Sequence, residues 1–460
     1  MSDSDPSGTS GGVRPPWARS DRAFPHRVLR PLQELLARST AGAAVLLVAA
    51  ALALIWANSP LRDSYADVWA TDLVVGLGRW AIRDDLRGWV NESLMTLFFL
   101  LAGLEIKREL TSGDLRDRRA AALPVLAAIG GMAVPALLYL AANAGFPGAR
   151  GWGMAMPTDL ALVLGVLALA SPRAPTSLKA FVVSLAISDD VGTIVAVLVA
   201  YARGASFGWA VAAVGVGLTV LLLRRIHVRW MPIYVALGAG LWLAMRAAGL
   251  NPTLAGVVIG LLAPAEPFQQ PAVVSREATR IAAETADEPS PPDSDVLLWL
   301  RLAWLSNESV SPLARAEHRL LPWVSFVILP VFALANGGVE LSRAPLSDPA
   351  GFRVVLGITL ARLVGKVLGI VGVSWIAVRI GIGRLPPGVR WSHLAGVGAL
   401  AGMGFTVSLF VSELAFGQTP LSDAARMGVL LSSLTSGVVG LLVLRSIRQP
   451  AGATAPVDRR

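Results

Sequence analysis

Long apolar segments separated by short polar ones run through most of the chain. A helix of about 20 apolar residues spans a bilayer, and these runs are continuous rather than alternating, unlike the strands of a membrane β-barrel. The pattern therefore predicts an all-α integral membrane protein with about 12 transmembrane helices. The predicted spans lie near residues 40–57, 92–106, 120–142, 152–171, 178–201, 207–223, 231–246, 252–264, 322–337, 354–379, 391–416 and 424–444.

The amino-acid composition agrees with a membrane protein. Of the 460 residues, 54% are hydrophobic and only 15% are charged, whereas soluble domains carry about 25% charged residues. This composition excludes a soluble multidomain enzyme, and the absence of cysteine excludes a disulfide scaffold.

The distribution of Lys and Arg predicts the orientation in the membrane. With a cytoplasmic N-terminus, 28 of the 40 basic residues lie on the inner side and 10 on the outer side, while Arg362 and Lys366 lie within a span. Basic residues concentrate on the cytoplasmic side of membrane proteins, so both termini are expected in the cytoplasm. The net charge of +9 then reflects orientation, and we expect no nucleic-acid partner.

Segments outside the spans predict the domain organisation. Residues 1–39 are a polar, Ser-, Gly- and Pro-rich cytoplasmic tail that is expected to be partly disordered. Residues 40–446 form a single transmembrane domain, and residues 447–460 form a second cytoplasmic tail.

Two connecting loops are too long to be simple turns. In the outer loop 58–91, β-propense runs on both sides of Gly76–Gly78 predict a β-hairpin. The cytoplasmic loop 265–321 holds an acidic, Pro-rich stretch and then an amphipathic segment, Val296–Leu305. Surface decoration without a specific role is the alternative interpretation of both loops.

Two adjacent carboxylates, Asp189 and Asp190, fall about 14 Å into a span, near the bilayer midplane. Neighbouring helix positions diverge by about 100°, so one carboxylate can line a cavity while the other pairs elsewhere. Two close carboxylates cannot both ionise cheaply, so a proton and a hard cation such as Na⁺ can compete for the same oxygens. A buried aspartate that is permanently protonated, or that caps a helix, is the alternative.

Two spans have the composition of interrupted helices. Pro157 disfavours helical geometry at the residue before it, and the pair Thr158–Asp159 can start a second half-helix inside the membrane. The span 391–416 is rich in glycine, which marks either a broken helix or close packing. A proline kink and simple glycine packing are the alternatives.

The charged pair Arg362 and Lys366 lies four residues apart within one span and therefore on one helix face. Lys366 is too deep to reach the surface, so it requires an acidic partner or exposed carbonyl oxygens. Spans 3–5 and 10–12 run in opposite directions, each with an interrupted helix at its centre, which is the pattern of an inverted repeat in transporters.

Six sequence stretches in this order resemble the NhaA-type sodium/proton antiporters, a family that also serves as a standard example of inverted repeats. The resemblance covers about residues 40–265 and 315–446. The stretches are FFLLAGLEIKREL (98–110), TDLALVLG (158–165), AISDDVG (186–192), PTLAG (252–256), GK (365–366) and GMGFTVSLF (402–410).

The resemblance implies roles for the matching positions. Asp190 would be the principal cation ligand and Asp189 its neighbour in cation and proton binding, with Thr158 also at the Na⁺ site. Thr158 and Asp159 would lie at the helix crossing, where Lys366 offsets the half-helix C-termini. Four further positions match cytoplasmic-side residues that the family links to pH response: Glu105, Glu109, Glu317 and His318.

The chain departs from well-known family members at several positions. Asn251 and Leu321 stand where those members have histidines, and histidine is the natural titrating group near neutral pH. We therefore expect a shifted or blunted pH response, which a sharp activation near pH 7 in transport assays from about pH 6 to 9 would contradict. Arg362 and Glu413 are unexpected intramembrane charges without an evident role.

The function implied is a secondary active Na⁺/H⁺ and Li⁺/H⁺ antiporter of the bacterial plasma (inner) membrane. It would export sodium in exchange for external protons, without a cofactor or enzymatic activity, as a homodimer in contact with membrane lipid. Another cation-coupled transporter or a channel is the alternative. Catalytic aspartates of an intramembrane protease lie on two facing helices, and a prenyltransferase needs a second Asp-rich motif, so neither enzyme class fits.

Overall fold

The computed structural model describes residues 39–76, 81–113, 116–171, 174–200, 206–226, 228, 230–287, 292–341, 347–417 and 419–447. Most of these residues are helical, as the apolar pattern predicts. The helices of the first half are α1 (Ser39–Ala57), α2 (Arg62–Trp69), α3 (Leu86–Thr111), α4 (Arg118–Asn143), a 3₁₀ helix (Pro147–Ala155), α5 (Leu160–Ala170), α6 (Thr176–Ala200) and α7 (Phe207–Arg225).

The second half of the chain continues with a further set of helices. These are α8 (Met231–Ala248), α9 (Leu254–Leu262), α10 (Pro271–Asp287), α11 (Pro292–Glu308), α12 (Pro312–Asn336), α13 (Pro349–Arg379), α14 (Trp391–Ala401), α15 (Thr406–Phe416) and α16 (Pro420–Ser446).

Local sequence explains where several helices begin. The Ser311 side chain accepts a hydrogen bond from the Ala314 N–H (3.2 Å) at the start of α12, and Asp348 does the same for Gly351 (3.0 Å) at the start of α13. Each cap is followed by proline, which is preorganised for the first helical position. The predicted inner loop therefore ends earlier than expected, because α12 begins at Pro312 rather than near residue 322.

A small antiparallel sheet lies within the segment where the sequence predicts a hairpin. Strands β1 (Asp72–Val75) and β2 (Ile82–Asp85) pair with Asp72 opposite Asp85 and Val75 opposite Ile82. The strands start later than the β-propense run suggested, since residues 68 and 69 are the end of helix α2. Residues 79 and 80, also part of that prediction, lie outside the described residues.

The described residues confirm at most eleven of the twelve expected spans. Among the described residues, eight helices are long and apolar enough to cross a membrane, and three bent helix pairs raise the number to at most eleven. The predicted span 252–264 forms the nine-residue helix α9, which is about 14 Å long and therefore too short to span a bilayer without its flanking residues. Predicted span 40–57 is itself one member of a bent pair, because α2 follows α1 at an angle of 116°.

Glycine contacts bring the main-chain atoms of neighbouring helices close together. A Cβ atom on Gly256 of α9 would overlap the Thr96 carbonyl of α3, and a Cβ on Gly130 of α4 would overlap the Gly369 carbonyl of α13. Small residues allow this close approach where helices pack within a membrane. The α4–α13 contact matters most for the site, because α13 carries the buried cations Arg362 and Lys366.

Candidate functional site

Two interrupted helices meet at the centre of the structure. The 3₁₀ helix Pro147–Ala155 and α5 are bent by 54°, and α14 and α15 are bent by 47°. The extended segments at the two breaks are hydrogen-bonded to each other: the Asp159 N–H donates to the Met403 carbonyl (3.0 Å), and the Thr158 hydroxyl donates to the Ala401 carbonyl (3.0 Å). The predicted interruptions are thus confirmed, and both segments are more than kinked or glycine-packed helices.

The Asp159 carboxylate faces the N-terminal ends of two half-helices. Its side chain accepts a hydrogen bond from the Leu162 N–H (3.4 Å) at the start of α5. Its other oxygen accepts from the Thr406 hydroxyl (3.1 Å) and N–H (3.5 Å) at the start of α15. A carboxylate is favourable here because helix N-termini carry partial positive charge.

Arg362 contacts both helix interruptions at their carbonyl ends, whereas Asp159 contacts their N–H ends. The guanidinium is fully buried, and it donates to the carbonyls of Met154 (3.3 Å), Pro157 (2.8 Å) and Gly402 (3.0 Å). It also donates to the Ser408 hydroxyl (2.6 Å). These carbonyls lie where the first half of each interrupted span ends, so a cation neutralises the negative ends of both half-helices.

Lys366, one turn further along α13, is also fully buried. Its Nζ atom donates to the Met156 carbonyl, to the Thr158 hydroxyl (2.9 Å) and to Asp189 Oδ2 (2.9 Å). The sequence required an acidic partner or carbonyl oxygens for this residue, and the structure shows both. Arg362 belongs to the π-helical turn Ala361–Gly365, which directly precedes Lys366, and such turns are frequent at functional sites.

The two adjacent aspartates of α6 have different environments. Asp189 is fully buried and forms the ion pair with Lys366. Asp190 is partly exposed and forms no ion pair within the described part of the chain. The expected pairing of one of the two carboxylates is therefore seen at Asp189, and the cation-binding role of Asp190 stays a prediction.

The sequence of this chain is similar to those of known membrane transporters. The sequence profile of the family "Na+/H+ antiporter 1" matches residues 33–444. The chain belongs to this family. A Na(+)/H(+) antiporter NhaA from Anaeromyxobacter sp. is 45% identical over 430 residues, covering 92% of this chain and 94% of the relative.

Further relatives carry the same name. A Na(+)/H(+) antiporter NhaA 2 from Sorangium cellulosum is 40% identical over 430 residues, covering 93% of this chain and 92% of that protein. A Na(+)/H(+) antiporter NhaA from Cupriavidus necator is 40% identical over 433 residues, with coverage of 93% and 92%. The resemblance found in the six stretches is thus confirmed, and a family of multi-pass transporters agrees with the helices described above.

The residues that the family resemblance links to pH response lie in the C-terminal part of α3 (Glu105 and Glu109) and in the first turns of α12 (Glu317 and His318). Arg108, which the sequence did not single out, donates a hydrogen bond to Glu317 and lies 3.4 Å from Glu109. The structure therefore brings Glu109 and Glu317 together around one guanidinium. Glu105 lies one turn earlier on the same helix and is partly buried, while the His318 side chain is exposed.

The positions that depart from the family pattern have ordinary contacts. The Asn251 side chain accepts hydrogen bonds from the Thr253 N–H (3.0 Å) and hydroxyl (2.7 Å), which closes the turn before α9. Leu321 is 44% exposed on α12. Glu413, which had no evident role, pairs with Arg426 of α16 at 2.6 Å.

Asn251 and Glu413 line an open cavity of about 370 Å³ that Asp84 and Glu92 also line. Arg246 of α8 bridges these last two carboxylates, at 2.8 Å from Asp84. Asp84 belongs to strand β2, so this arginine connects the hairpin to the start of α3. The sequence could not indicate this connection, because Arg246 lies 162 residues from Asp84 along the chain.

Proposed function

We propose that the chain is a secondary active antiporter that exports Na⁺, and also Li⁺, in exchange for external protons. The observation that carries this proposal is the partly exposed Asp190 beside the buried Asp189–Lys366 ion pair, at the contact of two interrupted helices. The family to which the chain belongs and the names of its relatives support the same ions.

Asp190 is the principal cation ligand in this proposal, with Asp189 and Thr158 completing the site. A cation that engages Asp189 competes with Lys366, and the Lys366 ammonium keeps the Met156 carbonyl and the Thr158 hydroxyl as partners when it releases the carboxylate. Protons compete with Na⁺ for the same carboxylate oxygens. Cation binding therefore weakens as the pH falls, and proton binding on one side releases sodium.

Asp159, Arg362 and Lys366 hold the crossing together while the ions exchange. The negative carboxylate lies at helix N-termini and the two cations lie at carbonyl ends, so each charge neutralises the partial charge at the end of a half-helix. Exchange of more protons than sodium ions per cycle would make transport electrogenic, and the membrane potential would then contribute to it. Transport in this scheme needs no cofactor and includes no enzymatic step.

The architecture proposed for transport is twelve crossings with α9 and its flanking residues as the eighth. Spans 3–5 and 10–12 form an inverted repeat whose rocking exposes the site to either side. Both termini lie in the cytoplasm and the protein resides in the bacterial plasma (inner) membrane, surrounded by lipid. Two copies associate through the β1–β2 hairpin, and Glu105, Glu109, Glu317 and His318 adjust activity to cytoplasmic pH for sodium and pH homeostasis.

Proton flux in everted membrane vesicles tests the proposed exchange. Addition of Na⁺ or Li⁺ should dissipate a preformed pH gradient in vesicles with the protein, and Asp190→Asn should abolish the response. The matched control is Asp63→Asn, because the Asp63 side chain on α2 is 89% exposed. A Na⁺ response that survives in Asp190→Asn would contradict the proposed ligand, and cation current without proton movement would indicate a channel.

A further inference from the structure

The cytoplasmic loop between α9 and α12 folds into a helical hairpin of α10 and α11. The two helices pack on each other, and Arg301 of α11 lies 3.5 Å from Glu277 of α10. The base of the hairpin is closed by main-chain hydrogen bonds from the Phe268 N–H to the Glu308 carbonyl (3.1 Å) and from the Leu313 N–H to the Pro264 carbonyl (3.2 Å).

The two helices of this hairpin differ in how their apolar residues are covered. In α10, Val274 and Ile281 are buried, whereas Arg276, Thr279 and Arg280 are exposed. An apolar face toward a neighbour and a polar face toward water is the pattern of an ordinary surface helix. Helix α10 therefore needs no further partner.

Helix α11 is apolar on both sides. The sequence from 296 to 305 has ten residues, VLLWLRLAWL, with one charge. Leu298, Leu302 and Leu305 share one helix face by their spacing and are partly buried. The opposite face forms an exposed apolar stripe, which consists of Val296 (50% exposed), Leu297 (72%), Trp299 (50%), Leu300 (61%) and Trp304 (59%).

Single exposed apolar residues are ordinary, but a contiguous group of this size marks an interaction surface. An apolar run of ten residues is too short to span a bilayer and is found in buried core helices or interfacial segments. The exposed apolar residues of α11 exclude a buried core helix, so an interfacial segment fits. Tryptophan is also enriched at the boundary between lipid and water, where its ring is apolar and its N–H can bind water or headgroups.

The position of the helix in the chain indicates which partner covers the stripe. Helix α11 ends at Glu308, and the candidate membrane span α12 begins at Pro312. Three intervening residues reach at most about 13 Å between the helix ends. Exposed apolar residues continue through this region, with Val310 (43%) and Phe268 (53%) at the base of the hairpin and Trp323 (64%) on α12.

We propose that α11 lies in the phospholipid surface of the leaflet next to the base of the hairpin. The exposed apolar stripe enters the boundary between headgroups and acyl chains, and α10 faces water. Arg301, whose side chain is 58% exposed, can reach lipid phosphates from the edge of the stripe, as basic residues do at membrane surfaces. This proposal rests on the membrane location of the family and not on which ions are exchanged.

The absence of native cysteine allows a direct test by single-site labelling. The variants Leu300→Cys, in the stripe, and Ala283→Cys, an exposed control on α10, each carry an environment-sensitive fluorophore. The full-length protein is reconstituted into phosphatidylethanolamine–phosphatidylglycerol vesicles. Nitroxide-labelled lipid reports contact with the bilayer, and iodide on both sides of the membrane reports contact with water.

The expected result is a blue-shifted label at position 300 that nitroxide lipid quenches several-fold more strongly than the label at position 283, with the opposite order for iodide. Equal quenching by iodide at both positions would overturn the proposal. Protection at position 300 from both quenchers, or a disulfide between two copies of Leu300→Cys, would show a protein partner and would also overturn it. A parallel label at Leu297→Cys guards against distortion at one site, and Na⁺/H⁺ exchange by the labelled proteins is scored separately.

Discussion

The helix crossing and the Arg108 cluster both hold charged side chains, but they stabilise them in different ways. At the crossing, Arg362 and Lys366 are fully buried, and most of their partners are main-chain carbonyls at helix breaks. In the cluster, the Arg108 side chain is 44% exposed, and its partners are the charged side chains of Glu109 and Glu317 rather than main-chain carbonyls. Water reaches the Arg108 guanidinium, although the Glu109 and Glu317 side chains are only 12% and 13% exposed, whereas Arg362 and Lys366 expose no surface at the crossing.

This comparison shows where a charge change should be costly. A buried ion loses several kcal/mol when its partner is removed, because the remaining charge stays without solvent. An exposed pair contributes only about 0–1 kcal/mol. Substitutions at the crossing should therefore affect both folding and transport, while substitutions in the cluster should affect regulation with little effect on folding.

Arg362→Met should have the largest effect on stability. It removes the donor from three buried carbonyls and one hydroxyl at both helix breaks, and because each buried acceptor left without a donor costs about 1–3 kcal/mol, we expect a loss of about 4 kcal/mol or more. The thermal midpoint of the purified protein in detergent measures this effect. Arg353→Met, on the same helix with an exposed side chain, is the matched control, and similar midpoints for the two variants would contradict the structural role of Arg362.

Lys366→Met should destabilise the protein strongly but less than Arg362→Met, because it removes fewer partners. Asp189 then lacks its cation, so the double variant Asp189→Asn/Lys366→Met should be more stable than Lys366→Met alone. Thermal midpoints of the two single variants and the double variant test this coupling. Additive losses would show that the ion pair contributes no coupling energy, and Lys179→Met on the exposed start of α6 controls for the loss of a lysine.

Gly404→Ala should destabilise by about 1–3 kcal/mol, the usual cost of overpacking. A Cβ at this position would overlap the Arg362 guanidinium and approach the Pro157 carbonyl. Gly372→Ala on α13 is the control, because no atom lies within 4 Å of its added Cβ. The difference in thermal midpoint between the two variants is the measurement, and equal midpoints would mean that the crossing can accommodate the methyl group.

Glu317→Gln should have the smallest effect on stability, below about 1 kcal/mol. It removes the charge that accepts a hydrogen bond from Arg108. If this cluster adjusts activity, the pH at which Na⁺-dependent proton flux reaches half its maximum should move while the maximal flux stays within about two-fold. An unchanged pH profile would separate Glu317 from the pH response. The control is Glu340→Gln, an exposed carboxylate after α12.

Much of the site could be predicted from sequence because charged residues are rare within membrane-spanning segments. A carboxylate or ammonium in an apolar run is expensive, so Asp159, Asp189, Asp190 and Lys366 could be identified without any contact information. The proline and glycine patterns likewise predicted both interruptions. The partners of Arg362 could not be predicted, because main-chain carbonyls belong to every residue type and carry no sequence signal.

The sequence by itself determined that the surrounding solvent is lipid, which family the chain belongs to and which buried charges require partners. Tertiary structure decided how these charges are satisfied: the carbonyls that contact Arg362 come from residues some 40 and 200 positions away in the chain. It also decided that α9 is a short helix packed on α3, where the apolar run predicted a full span. Hydrophobicity selects the environment of each segment, but the length and pairing of helices depend on close packing between segments that are distant in sequence.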